Sequence, residues 1–239
     1  MIFAKPIIGV PLSLLAGAIL MILPLMISPA SAQYDDPCRN PRELPTVNVE
    51  VEARTERTSA RYTAEELHYY ADRQDPLPVG YRHFGFTEMG REIRTSAQVR
   101  SGTDEYKNFC FSPETITVTV KVAPVMYVPG EYPRTSCPAG AVRVHELLHL
   151  QIHEDALREL PGRIERALEL ERELRITRKA RDKRHAIDLV RDLSLEVANR
   201  VARELDAEYR IRHLELDSPQ SFRASLGICG EAEWAGLMD

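Results

Sequence analysis

Two histidines and a glutamate stand at a spacing that suits metal-dependent hydrolysis, His145, Glu146 and His149 within the sequence HELLH. Residues four apart in a helix lie one turn apart on the same face, so both imidazoles can reach one metal ion. Glu146 is rotated by about 100° around the helix axis, which leaves its carboxylate beside the ion as a general base. The pattern predicts a Zn²⁺ site in which Glu146 removes a proton from the water that attacks a peptide carbonyl.

The HExxH pattern alone is a weak signal, because about one chain in a hundred of this length contains it by chance. Its context strengthens it: the motif lies in an apolar, strongly helical stretch, 142–152, that follows predicted strands. The alternative interpretation is that the two histidines are partly buried helix residues with polar partners and that Glu146 is exposed.

A zinc site of this kind needs a third protein ligand, and the second long helix offers a candidate. Projected at 100° per residue, a core-facing stripe runs from Val190 to Leu205, and Glu208 falls within it. An antiparallel return of this helix brings residues of about 208–217 beside the motif. We therefore predict Glu208 as the third ligand, with a buried ion pair between Glu208 and Arg212 as the alternative.

Three further residues remain open as the third ligand. His213 lies at the edge of the same helix face, and His153 continues the four-residue ladder from His149. Asp155 is six residues after His149, where the metzincin class places its third ligand after a chain-turning glycine. Ile152 occupies that turning position here, so the helix is expected to continue and carry Asp155 away from the metal.

The elements that must position these residues are predicted to be strands in the first part of the chain and helices in the second. Residues of about 39–140 alternate apolar and polar side chains in three stretches, 47–51, 93–99 and 116–122, which predicts strands. A short helix is expected from Ala64, capped by Thr63 and Glu66. Over residues 141–217 the sequence predicts the motif helix and then a helical hairpin that turns near Arg181. The Pro-Gly pair after Leu160 is expected to end or kink the motif helix. Residues 218–239 form a tail.

The predicted architecture is an α+β fold. A mostly antiparallel sheet comes first, and the HExxH helix and a long helical hairpin follow it.

The first 32 residues have the pattern of a signal peptide. One charge, Lys5, precedes an apolar run over 7–27, and Ala30-Ser-Ala32 supplies the small residues of a cleavage site. We predict cleavage after Ala32 and a single secreted or periplasmic domain, 33–239. The alternative is an uncleaved anchor, since the run is long enough to span a bilayer. No second apolar span follows, so no membrane association is expected after cleavage.

Charge and cysteine content narrow the possible partners. The net charge is −5 with the two signs interspersed, which gives no electrostatic footprint for nucleic acid. The four cysteines form no CxxC pair, and in an oxidising compartment they predict two disulfides, with three connectivities open. The sequence specifies no oligomeric state.

Residues of about 81–217 resemble a family of secreted bacterial zinc-dependent proteases first catalogued as a domain of unknown function. The resemblance rests on Cys110 before the 116–122 strand, the Tyr127-Val-Pro exit, HELLH, and a late helical segment containing Tyr209. Arg210 stands where members tend to have an acidic residue after that tyrosine. The resemblance implies a zincin-like fold and a peptidase role.

Two classes of function follow from these observations. The first is a secreted or periplasmic zinc endopeptidase that acts on peptide or protein substrates. The alternative is a non-catalytic envelope interaction domain in which the motif is vestigial or accidental.

Overall fold

The computed structural model describes residue 38, residues 44–78 and 82–218, and residues 220, 221, 224 and 227–230. The predicted signal peptide therefore lies outside the described residues. In chain order the elements are β1 (Thr46–Ala53), β2 (Arg57–Ser59), α1 (Ala64–Gln74), β3 (Phe86–Thr103), β4 (Phe109–Tyr127), α2 (Cys137–Leu170), β5 (Arg178–Lys179) and α3 (Lys183–Leu216). The α+β class is confirmed.

Strand β4 is the centre of a five-stranded sheet. Strand β3 pairs with it antiparallel, from Phe86 opposite Tyr127 to Thr103 opposite Phe109. Strands β1 and β2 pair with β4 in parallel, and the short β5 pairs antiparallel with Cys110 and its neighbour. The prediction of a mostly antiparallel sheet is wrong for the first two strands.

Chain connectivity explains the parallel pairing. β1 ends opposite Val122 and β2 begins opposite Val125, so the two strands follow each other along β4. The chain passes through α1 and β3 between β2 and β4. This long connection lets β4 run in the same direction as β1 and β2. Side-chain alternation predicts which face of a strand is buried, but it does not predict the direction of its neighbour.

The predicted cap of α1 is confirmed. The Thr63 hydroxyl accepts a hydrogen bond from the Glu66 backbone N–H at 3.2 Å, and the Glu66 carboxylate accepts one from the Thr63 N–H at 2.9 Å. The helix buries Leu67 and Ala71 completely. This anchored helix leads the chain to residues 82–89, which line the candidate site described below.

Helices α2 and α3 each contain 34 residues and pack against the apolar side chains of β4. The buried core that they share includes Ile116, Val118 and Val120 from β4, Leu160, Ile164 and Leu168 from α2, and Val190, Val197 and Ala198 from α3. The predicted end of the motif helix near Leu160 is wrong, because α2 continues through Pro161 to Leu170. Packing of the buried stripe on both sides of Pro161 outweighs the single backbone hydrogen bond that proline removes.

The two predicted disulfides are present, between Cys38 and Cys110 and between Cys137 and Cys229. The second bond links the first residue of α2 to the chain that follows α3, so it constrains both flanks of the motif region. Two disulfides and no free cysteine fit an oxidising compartment. Within the described ranges, no helix has the length and apolar character needed to cross a membrane.

Candidate metal centre

The two motif histidines lie on the buried face of α2, one helical turn apart. His145 and His149 are both buried, and their Nε2 atoms are 3.2 Å apart. The side chains of His145, Glu146 and His149 form a buried group whose ligand atoms all lie within 4.8 Å of one another. This group could hold a metal ion.

Asp217, the residue that caps the C-terminus of α3, reaches both histidines. Its Oδ1 atom lies 3.0 Å from His145 Nε2 and 2.9 Å from His149 Nε2. Burial favours the neutral acid, yet the hydrogen bonds from the two histidines outweigh burial and hold the pKa of Asp217 well below its ordinary value. One carboxylate oxygen and two imidazole nitrogens therefore form a compact triangle.

The sides of the triangle are close to the separations between neighbouring ligand atoms around a zinc ion. Zinc bonds to nitrogen and oxygen of about 2.0–2.2 Å at tetrahedral angles separate neighbouring ligand atoms by about 3.3 Å. The observed separations are 2.9, 3.0 and 3.2 Å. Two imidazoles and one carboxylate are also a donor set typical of zinc hydrolases. The residues present therefore fit a site in which His145, His149 and Asp217 would hold a zinc ion.

Glu146 lies beside this triangle and is buried. It is 2% exposed, and its Oε2 atom accepts a hydrogen bond of 2.9 Å from the Thr87 hydroxyl of β3. Burial raises the pKa of Glu146, and the imidazoles of His149 and His145 oppose that shift only in part. A carboxylate with a raised pKa is suited to accept a proton near neutral pH and later release it.

His213 contacts the Nδ1 atom of His149, whereas the Nε2 atom of His149 faces Asp217. The Nδ1 atoms of the two rings are 2.8 Å apart, and burial lowers the pKa of His213 to about 3. A neutral imidazole has one N–H and one acceptor nitrogen, so His213 can accept a hydrogen bond from His149 Nδ1 and leave His149 Nε2 free to bind a metal ion. This is the role that a hydrogen-bond partner of a metal-binding histidine plays. In this arrangement the His213 ring is hydrogen-bonded to His149, and not to Asp217 or His145, among the contacts of the described residues.

No known protein family, curated protein or solved structure matches this chain. The assignment of the site therefore rests on its own residues and their arrangement.

The structure separates Glu208 from the motif histidines. Its side chain is 54% exposed and forms an ion pair of 2.8 Å with Arg163 of α2. The alternative pair with Arg212 is also absent, because Arg212 bonds to Asp155 at 2.8 Å. Asp155 is thereby directed to the outer surface, as expected for a helix that continues past Ile152. Glu208 and Asp155 therefore do not belong to the triangle of His145, His149 and Asp217.

His153 lies in the same cleft as the triangle but is directed at His213, with ring centroids 4.5 Å apart. Burial lowers its pKa to about 4, so the ring is neutral. The cleft has a volume of about 250 Å³ and runs between β3, α2 and α3. Glu146 and all three residues of the triangle line it, so a ligand bound in the cleft would contact these four side chains.

Sequence reasoning missed Asp217, Thr87 and Gly85. Asp217 had a usable signal, since it ends a helix just before Ser218 and a proline and is one turn beyond His213. Thr87 had none, because a threonine inside a strand is ordinary.

Gly85 adjoins Glu146 so closely that no side chain fits there. A Cβ added at Gly85 would lie 2.5 Å from Glu146 Oε1 and 2.7 Å from Val142 Cγ1. Gly85→Ala is therefore expected to displace the carboxylate while leaving the metal triangle in place. A displacement of about 1 Å lowers a catalysed rate about 10²-fold. If the site hydrolyses peptides with a bound zinc ion, kinetics on a peptide substrate together with zinc analysis measure both effects.

Gly140→Ala is the matched control, because a Cβ at that position of α2 meets no atom within 4 Å. It is expected to keep both zinc and activity. Full activity in Gly85→Ala would show that Glu146 does not need its observed position.

Proposed function

We propose that this protein is a zinc-dependent endopeptidase that acts outside the cytoplasm on peptide or protein substrates. The observation that carries the proposal is the convergence of His145, His149 and Asp217 at 2.9–3.2 Å beside the buried Glu146. The disulfides and the predicted signal peptide support an exported location.

In this proposal each residue near the cleft has a separate task. His145, His149 and Asp217 would hold the zinc ion, which supplies acidification of a water molecule and polarisation of the substrate carbonyl when bound. Glu146 accepts the proton from the attacking water and then donates it to the nitrogen of the leaving amine. Thr87 keeps the Glu146 carboxylate oriented between these transfers.

Chelation of the purified protein tests this function. We expect hydrolysis of casein at internal peptide bonds, its loss on treatment with a zinc chelator, and its recovery when zinc is added back. Magnesium added in place of zinc serves as the control and is expected to restore nothing, because it prefers six oxygen ligands. Hydrolysis that persists in the chelated protein would contradict the proposal.

A further inference from the structure

A second pocket lies on the exposed face of α1. Most of its residues recur three or four positions apart along that helix, so they lie on one side of it. The pocket has a volume of about 400 Å³, within the range of about 300–1,000 Å³ that is common for small-ligand sites. This tyrosine pocket is lined by Tyr62, Glu66, Tyr69, Tyr70, Arg73 and Gln74.

Two of its tyrosines form a fixed wall and the third offers a free ring. The rings of Tyr62 and Tyr70 stack with their centroids 5.0 Å apart, and the Tyr70 hydroxyl donates a hydrogen bond of 3.0 Å to Glu88. Tyr69 is 68% exposed, so its ring presents a flat apolar surface beside this wall. Such a ring loses little conformational entropy when a ligand stacks on it, because tyrosine has only two side-chain torsions.

The charges around the pocket favour a neutral ligand. Aromatic rings attract cations, but the guanidinium of Arg61 already lies 4.5 Å from the centre of the Tyr62 ring. The guanidinium of Arg73 lies 5.8 Å from the centre of the Tyr69 ring and would repel a second cation. The carboxylate of Glu66 disfavours an anion in the same pocket.

The polar groups of the lining require a ligand that both donates and accepts hydrogen bonds. A carboxylate such as that of Glu66 only accepts, the guanidinium of Arg73 only donates, and the amide of Gln74 does both. A proline-rich peptide has carbonyl acceptors but no N–H donor at its prolines. Each hydroxyl of a sugar donates and accepts, and the C–H groups on one face of a sugar ring can cover an aromatic ring.

We propose that the tyrosine pocket binds sugar units of a glycan, with one sugar ring stacked on Tyr69. This function goes beyond the proposed peptidase activity and does not depend on it. Gln74 lines both the pocket and the cleft, and Glu88, which holds the Tyr70 hydroxyl, also lines the cleft. A glycan in the pocket would therefore lie beside a ligand bound in the cleft.

Saturation-transfer NMR with soluble tetrasaccharides tests the proposal on the full-length, chelated protein. Chitotetraose carries N-acetylated sugars and cellotetraose carries plain ones, and at least one of them is expected to bind with a Kd of about 1 mM or tighter. Tyr69→Ala should weaken that binding at least about tenfold, because the stacking surface is lost, whereas Tyr69→Phe should retain it. Tyr106→Ala is the matched control, since Tyr106 is 78% exposed in the turn between β3 and β4, and it should bind like the parent.

The absence of saturable binding by both tetrasaccharides would overturn the proposal, and so would parental affinity in Tyr69→Ala. A hexaproline peptide is included as the competing ligand and is expected not to bind. If it binds at Tyr69 and the sugars do not, the pocket recognises proline-rich chains instead. Because the protein is chelated, none of these results depends on the zinc site or on hydrolysis.

Discussion

Glu146→Gln is expected to lower kcat/KM for peptide hydrolysis by about 10²- to 10⁴-fold while the protein keeps its zinc. Glutamine has nearly the same shape, and its carbonyl oxygen can still accept the hydrogen bond from Thr87. It cannot take up a proton from water at neutral pH, so only the proton transfer is lost. Steady-state kinetics with a fluorogenic peptide, together with metal analysis of the same preparation, measure the two properties separately.

Glu154→Gln is the matched control for this substitution. Glu154 is an exposed glutamate on the same helix, outside the cleft that contains Glu146. Its activity is expected to equal that of the parent. If Glu146→Gln keeps parental activity, another group accepts the proton. If it loses zinc, Glu146 is a ligand rather than a base.

Asp217→Ala should weaken zinc binding by more than about 100-fold and abolish hydrolysis. Loss of a group that only supports a ligand reduces metal affinity about 10- to 100-fold. Asp217 lies within hydrogen-bond distance of the Nε2 atoms of both histidines, so as a ligand it should matter more. Competition with a chromophoric chelator gives the affinity. The melting temperature with and without zinc reports whether the metal still links the end of α3 to α2.

Glu208→Ala provides the comparison with the strongest contrast. Glu208 was the ligand predicted from the sequence, it is on the same helix as Asp217, and it is exposed beside Arg163. We expect it to keep parental zinc affinity and activity. Zinc loss in Glu208→Ala together with zinc retention in Asp217→Ala would restore the sequence-based assignment.

The residues predicted correctly depend on local rules. The HELLH spacing places two imidazoles on one helix face whatever surrounds that helix, and the capping box of α1 depends on Thr63 and Glu66 alone. The disulfide count follows from the even number of cysteines, whereas their pairing and the direction of β1 depend on how distant segments meet. Local patterns do not contain that information.

The structure does not place Glu208 beside the motif histidines. The prediction carried a fixed angular projection too far along α3. Eighteen residues after Val190 the projection returns Glu208 to the starting direction, but the contact with α2 follows steps of four. Leu205, His213 and Asp217 lie on that row and line the cleft. Rows of residues four apart are inclined to the helix axis, so over several turns the face in contact drifts around the helix.

Zinc content of the purified full-length protein tests the central claim most directly, namely that His145, His149 and Asp217 form a three-ligand zinc site beside Glu146. Mass spectrometry under native conditions should find close to one zinc ion per chain in the parent and in Glu146→Gln, and none in Asp217→Ala. A parent that remains without zinc after loading and desalting, or an Asp217→Ala variant that holds zinc as tightly as the parent, would contradict the claim.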